Sequence, residues 1–368
     1  MSLGLSQLEL ATVARQPSST VSMIETGNLR PDDSTLAALA AALDCTPEYL
    51  RLNRPEQDTT RPLLRAYADA SKREVDSLVE DAKSSVEAAL TLGLPLVPNE
   101  VPLYDGDLND EEGIEQFALD VRAQLGLAED EPVGNAIRAA ERLGCLVLPL
   151  DSELGRHLGM SFRVDELPVI RVSRSSEDSS RAVPGDRQRL TVAHELGHLA
   201  LHRFVNTPSS PVEAARVERE AYRFAGAFLI PGDALRDGLA QHNDRVTLST
   251  LTELKRTWGV AIKALVLRVR QLGIVDDDHA RSLYKQISAR KWNKVEPVAV
   301  EVENAVWWNK ALTAKYRSGH GMEVASQQLG LSRSHFVRWS DWTPAPRLDG
   351  AIDFATASSR RDRAKADG

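Results

Sequence analysis

The stretch that decides the fold is QRLTVAHELGHLALH, at residues 188–202. Its apolar residues recur at helical spacing, so the stretch predicts an amphipathic helix. His194 and His198 are four residues apart and project from one face of such a helix, where both imidazoles can bind one metal ion. Glu195 is turned by about 100° from the first histidine. That position favours taking a proton from a water on the metal over binding the metal itself.

A metal site of this type needs a third protein ligand, and the sequence offers several. Glu218 is placed at the edge of the apolar stripe of the next predicted helix, with Glu213 and Glu220 as rivals on the same helix. A solvated surface carboxylate is the alternative interpretation of Glu218. His202 would lie about 12 Å along an unbroken helix from the first histidine of the motif. Because that is too far for one ion, we expect His202 to have a structural role.

Short apolar runs upstream of the motif predict three strands, preceded by two amphipathic helices. This order of elements predicts an α+β fold that is mostly helical, with a small β-sheet and the motif helix in a zincin-like core, flanked by helical modules at both ends. The run at 168–173 alternates in polarity, and we expect it to offer an edge for an extended substrate backbone. The predicted strands are 145–149, 159–163 and 168–173, and the helices are 112–125 and 133–143.

Composition bounds the class of protein. Of its 368 residues, 42% are apolar and 27% charged, a composition typical of globular proteins. A chain of this length predicts several domains. No apolar run approaches the 18 or so residues of a membrane span, and the first residues lack the features of a signal peptide. These patterns predict a cytoplasmic protein without a membrane partner. Two cysteines one hundred residues apart exclude a disulfide framework.

Residues 5–27, followed by an apolar helix at 36–43, are similar to the Xre-type helix-turn-helix from its second helix onward. Arg15 stands where the tight turn of that module usually has Gly. Residues 1–53 hold three basic and six acidic side chains, which weakens attraction to DNA, so a dimerisation or docking module is the alternative. The candidate DNA contacts are Gln7, Ser18, Ser19, Thr20 and Ser22.

The other end of the chain offers a second candidate for nucleic-acid binding. Residues 324–339 follow a helix, Gly, helix pattern. They belong to the segment 281–342, which holds ten basic and five acidic side chains. The alternative is an ordinary helix pair, in which the neighbouring Trp307 and Trp308 are core residues.

The motif helix, the stretch EREAYRFA at 218–225 and the FLIP sequence at 228–231 together resemble the ImmA/IrrE family of zinc metallopeptidases. This resemblance implies a gluzincin-like enzyme that uses Zn²⁺. The ligands would be His194, His198 and Glu218, and the general base would be Glu195. Tyr222 stands where family members usually have Asn or Asp. The sequence does not identify the residue that donates to the oxyanion. The candidates are Tyr222, His157 and Arg187.

The resemblance also implies partners. A cytosolic zinc endopeptidase of this family would cleave a partner repressor or antitoxin protein and so act in transcription regulation. Two alternatives stay open: a DNA-binding regulator whose zinc site is structural or sensory, and an antitoxin-like partner in a two-gene module. A homodimer is an open alternative to a monomer. The predicted segments are 1–53 helix-turn-helix, 54–109 linker and connecting helices, 110–240 peptidase core, 241–345 helical C-terminal domain and 346–368 disordered tail.

Overall fold

The structure is a computed structural model, and it describes residues 3–54, 56–60, 62, 71–150, 158–173, 183–205, 208–317 and 319–342. These residues form α-helices around a small β-sheet, so the predicted α+β fold is confirmed. The segment expected to be a disordered tail, 346–368, lies outside the described residues.

The helices account for most of the described residues. In chain order they are α1 Gln7–Val13, α2 Ser18–Glu25, α3 Asp33–Ala42, α4 Pro47–Arg51, α5 Lys72–Thr91, α6 Glu111–Gln124, α7 Ala136–Arg142, α8 Gly185–Leu201, α9 Pro211–Leu229, α10 Gly232–Ala240, α11 Leu248–Trp258, α12 Ile262–Gln271, α13 Asp277–Ala289, α14 Trp307–Tyr316, α15 Gly321–Leu329 and α16 Arg333–Ser340.

The sheet consists of β1 Leu146–Leu150, β2 Gly159–Val164 and β3 Leu167–Ser173. β3 lies in the middle, parallel to β1 and antiparallel to β2. The expectation that residues 168–173 offer a free edge is therefore wrong, because β3 has a paired strand on each side. Alternation along one strand reports which side chains are buried. The order of strands depends on pairing between distant residues, which a local pattern does not contain.

Helix starts follow the sequence closely. α1 and α5 each begin with a serine whose hydroxyl accepts from a backbone N–H three residues on, where a glutamate reaches back to the serine. This capping box satisfies two backbone donors that a helix end leaves unpaired. α9 begins at Pro211 after the cap Ser210, and proline at this position loses no helical hydrogen bond.

The sheet separates two apolar clusters. Neighbouring residues of β1 point to opposite faces, so Val147 belongs to one cluster and Leu148 to the other. The first cluster gathers side chains of α6–α13, including the motif helix α8. The second gathers α5 and the helices α14–α16. The predicted C-terminal segment, 241–345, thus contributes to both faces of the sheet, and its boundaries stay a prediction.

A partly buried ion-pair network joins the three helices α6, α9 and α12. Glu115 of α6 accepts from Arg268 of α12 at 2.6 and 2.8 Å and from Arg223 of α9 at 2.9 Å. Burial alone would raise the pKa of Glu115, but the two guanidinium groups outweigh burial and lower it. The carboxylate therefore stabilises the fold in its charged form and fixes α9, which carries Glu218, relative to its neighbours.

Candidate metal centre

The two histidines of the motif lie side by side on α8. His194 Nε2 and His198 Nε2 are 3.1 Å apart, and both side chains are buried. One turn of helix separates the residues, so the two rings meet edge to face with centroids 4.5 Å apart. Two imidazole nitrogens thus converge on one point at the inner face of α8.

α9 brings a carboxylate to the same point. Glu218 Oε2 is 3.5 Å from His194 Nε2, and its Oε1 is 3.6 Å from His198 Nε2. Gly197 allows this approach: a Cβ there would lie 3.0 Å from the Phe224 ring and 3.1 Å from the carbonyl oxygen of Ala221. The glycine inside the motif therefore lets the backbones of α8 and α9 pack closely.

The three donors have the spacing of a metal site. Their ligand atoms all lie within 4.8 Å of one another. A tetrahedral ion with donors at about 2.0–2.1 Å requires donors roughly 3.4 Å apart. The two imidazole nitrogens are 3.1 Å apart, and each lies 3.5 or 3.6 Å from a different oxygen of Glu218, so the three groups are close enough for one ion. Two imidazoles and one carboxylate are also a donor set that Zn²⁺ uses when a fourth position stays open. His194, His198 and Glu218 therefore fit a Zn²⁺ site.

Electrostatics favour the charged form of the carboxylate. Burial by itself would raise the pKa of Glu218, but His194 and His198 outweigh burial and hold that pKa well below its usual range. Glu218 is therefore ionised at neutral pH, as a metal ligand must be.

Two family models match the chain. The model of the IrrE N-terminal-like domain, peptidase family M78, matches residues 140–270, and a helix-turn-helix model matches residues 1–50. Residues 140–270 are thus similar to an IrrE-like domain. The match runs from α7 to α12 and contains all three donors. A helix-turn-helix module precedes this domain, as predicted. Searches for similar curated proteins and for similar solved structures found no match.

In the IrrE-like domain, the Glu195 side chain contacts the sheet. Its Oε2 accepts a hydrogen bond of 2.6 Å from the hydroxyl of Ser161 on β2, and both residues are buried. Gly159 of the same strand leaves room for Glu195, because a Cβ there would lie 3.2 Å from Glu195 Cγ. One carboxylate oxygen is thus held by protein. The sequence did not identify Ser161 beforehand, although a serine between the apolar Met160 and Phe162 was a signal for it.

The rivals for the third ligand occupy other positions. Glu220 accepts from His202 Nε2 at 2.9 Å and from Arg216 at 3.2 Å. Glu213 binds the backbone N–H and hydroxyl of Ser209 near the start of α9. His202 does not join the three donors, but its Nδ1 lies 3.0 Å from His198 Nδ1. Burial lowers the pKa of His202 despite its bond to Glu220, which favours the neutral ring.

Tyr222 lies one helical turn beyond Glu218. Its ring packs on His194, with centroids 4.2 Å apart and planes tilted by 40°. His194 Nδ1 is buried without a hydrogen-bond partner among the described residues. The Tyr222 ring thus supports the His194 ring by direct packing. Of the other oxyanion candidates, Arg187 donates to the backbone oxygen of Asn293, and His157 lies outside the described residues.

The outer edge of β2 is partly covered by the chain that follows the N-terminal module. Thr60 donates its N–H to the carbonyl of Arg163 at 3.1 Å, and Asp165 donates to the carbonyl of Asp58 at 2.7 Å. Thr59 and Val164 form an antiparallel bridge. Asp58–Thr60 thus extend the sheet next to the end of the strand that carries Ser161.

The candidate DNA contacts lie in the helix-turn-helix module. Gln7, Ser18 and Ser19 are exposed, whereas Thr20 and Ser22 are half-buried. The turn between α1 and α2 places Arg15 at φ +52°, the left-handed region that favours the glycine usual at this position. Gln7 donates to Glu25 near the end of α2, so an acidic side chain borders the candidate surface.

The C-terminal helix pair contacts this module. α15 and α16 are separated by Gly330 at φ +71°, and the hydroxyls of Ser332 and Ser334 donate to Asp44. Thr46 donates its N–H to the carbonyl of Gly330 at 2.7 Å. Trp308 is buried among core residues, as is Trp339. The start of α16 thus packs on the N-terminal module. Among the described helices, none is long and apolar enough to cross a membrane.

Proposed function

We propose that the chain is a zinc-dependent endopeptidase joined to a DNA-binding module. The observation that carries this proposal is the set of three donor groups whose ligand atoms lie within 4.8 Å of one another, beside a glutamate that is not among them. The family matches support the coarser statement, a helix-turn-helix regulator with a peptidase-type domain.

In this proposal His194, His198 and Glu218 would hold the ion. A bound Zn²⁺ would supply a Lewis acid that makes a water more acidic and polarises the peptide carbonyl. Glu195 takes the proton of the attacking water and passes it to the amine of the leaving peptide. Ser161 holds one oxygen of that carboxylate, so the other oxygen is the one that receives the proton.

An extended substrate would pair with β2 rather than with β3. β2 is an edge strand and carries Ser161, so a peptide paired there would pass next to Glu195. We propose a repressor or antitoxin protein as the substrate and the cytoplasm as the compartment. A peptidase that cleaves a repressor would relieve transcriptional repression.

We further propose that the N-terminal module, not the C-terminal helix pair, is the DNA-binding end. Recognition helices read bases with their N-terminal residues, and those of α16 contact Asp44. The start of α2 is exposed and carries Ser18 and Ser19. Modules of this kind bind paired half-sites as dimers, so DNA binding would involve a homodimer. The predicted segment boundaries, 1–53, 54–109, 110–240 and 241–345, are part of this proposal.

The competing function is a regulator whose zinc is structural or sensory, and Glu195→Gln separates the two. We expect the wild-type chain to contain one Zn²⁺ in elemental analysis and to cleave the purified repressor encoded beside its gene. Glu195→Gln should keep the ion, because the three donors are untouched, and lose about 10²- to 10⁴-fold in rate. Glu213→Gln is the matched control and should cleave at the wild-type rate.

Two outcomes would contradict the proposed peptidase mechanism. Zinc retained without cleavage of that repressor, or of a library of quenched fluorescent peptides, would favour the structural or sensory site. Equal cleavage by the wild type and Glu195→Gln would assign proton transfer to another group.

A further inference from the structure

A buried row of hydrogen bonds runs away from the donor cluster into α9. His198 Nδ1 lies 3.0 Å from His202 Nδ1, and His202 Nε2 lies 2.9 Å from Glu220 Oε2. His202 is 2% exposed and Glu220 6%, so water cannot replace either contact. The other oxygen of Glu220 accepts from Arg216 at 3.2 Å. Both ends of the row are therefore fixed by protein groups.

The proton positions along this row follow from the geometry. A ring nitrogen that binds a metal must be unprotonated, and His198 turns Nε2 toward His194 and Glu218. Its proton then sits on Nδ1, which donates to His202 Nδ1. A neutral His202 that accepts at Nδ1 carries its own proton on Nε2 and donates it to Glu220. One arrangement thus satisfies every donor and acceptor from His198 to Glu220.

The other motif histidine, His194, has no comparable support. His194 Nδ1 is buried without a hydrogen-bond partner in the described part of the chain. Its ring is placed by packing on Tyr222 instead. The two imidazoles of the cluster are therefore oriented by different means, one by hydrogen bonds and one by ring contact.

We propose that His202 and Glu220 are positioning residues that act on the metal through His198. They hold the imidazole in the tautomer that presents Nε2 to the ion, and the carboxylate at the end of the row makes that nitrogen a stronger donor. This inference rests on the proposed metal site. It gives the third histidine, which cannot reach the ion from an unbroken helix, a function in the site.

The test measures Zn²⁺ affinity of the metal-free full-length chain by competition with a chromophoric chelator. Loss of such supporting bonds typically weakens metal affinity about 10- to 100-fold. We expect a loss of that order for His202→Phe, which keeps a ring of similar size but has no acceptor or donor. The Zn²⁺ affinity of Glu220→Gln should fall less than that of His202→Phe, because the amide oxygen of the glutamine still accepts a hydrogen bond from His202. Glu213→Gln on the same helix is the matched control and should bind as the wild type does.

A spectroscopic measurement on the unaltered protein makes the test independent of how the variants fold. In long-range ¹H–¹⁵N spectra of the zinc-loaded wild type with labelled histidine, we expect His198 protonated at Nδ1 and His202 at Nε2. A proton on His202 Nδ1 overturns the proposal, as does unchanged affinity in both His202→Phe and Glu220→Gln. When the wild type binds zinc and His194→Ala does not, the metal site stands. A proton on His202 Nδ1, or unchanged zinc affinity in both variants, then refutes the positioning role alone. A wild type that binds no zinc refutes the metal site and the positioning role together.

Discussion

Replacing Ser161 with alanine removes the hydrogen bond that holds Glu195 against the sheet. A hydrogen bond to a charged group contributes about 1.5–3 kcal/mol. Both residues are 7% exposed, so solvent replaces little of the lost bond, and we expect the upper part of that range, about 2–3 kcal/mol. This corresponds to a roughly 30- to 160-fold change in the folding equilibrium constant.

A double-mutant cycle isolates this bond from the other consequences of each substitution. The free energy of unfolding is measured in urea for the metal-free wild type, Ser161→Ala, Glu195→Ala and the double variant. The coupling energy should be about 2–3 kcal/mol. Ser85→Ala is the matched control: Ser85 is a buried serine that accepts from Trp308 Nε1 at 3.1 Å. It should not couple to Glu195→Ala.

A coupling energy below about 0.5 kcal/mol, the usual error for independent sites, would refute the reasoning that Ser161 anchors the general base. The zinc-loaded Ser161→Ala should bind the ion as tightly as the wild type, since it touches none of the three donors. Its cleavage rate should fall less than that of Glu195→Gln, because the base is still present but no longer held.

Three further predictions concern the third metal ligand, the ion pairs of Glu115 and the start of α2. Glu218→Ala should lose stoichiometric zinc in elemental analysis while Glu213→Ala keeps it, and the reverse result would assign the third ligand to Glu213. The lowered pKa of Glu115 makes its charged form stabilise the fold above its usual pKa of 4.5, and this stability is lost as the pH falls toward the lower folded value. Glu115→Gln should therefore be less stable than the wild type at pH 7, and the difference in urea midpoints should shrink below pH 4.5; a difference independent of pH would contradict this. Ser19→Glu should abolish binding to the promoter DNA of the chain's own gene in fluorescence anisotropy, because a carboxylate at the start of α2 repels phosphate; retained, equally salt-dependent binding would exclude α2 as the DNA contact.

Much of the fold could be predicted from local patterns. The helix predicted to follow the motif helix and to carry Glu218 forms as α9, Pro211–Leu229. The motif helix, predicted over 188–202, runs over Gly185–Leu201. Periodic apolar residues indicate such elements because each helix buries one continuous stripe. The spacing of four residues also brings His194 and His198 together in the structure, and their role as ligands stays a prediction.

Other parts of the site depend on contacts that no local pattern contains. Ser161 is 34 residues from Glu195, and only the pairing of β2 with β3 places it there. Three glutamates of α9 were candidates for one position, and the rotation of that helix against α8 decides among them. It turns Glu218 toward the motif histidines and Glu220 toward His202. The packing of whole helices fixes that rotation.

The extended segment Asp58–Thr60 would limit the length of a peptide that pairs with the sheet edge. β2 has six residues, and this segment pairs with the last two, Arg163 and Val164. At most four residues remain for an incoming backbone, roughly 13 Å at about 3.3 Å per residue. A substrate that pairs with β2 must therefore turn away from the sheet where Thr60 begins. The segment that follows the N-terminal module would thus set how many substrate residues can pair with β2 next to Glu195. A movement that separates Asp58–Thr60 from β2 would allow a longer stretch of substrate to pair there.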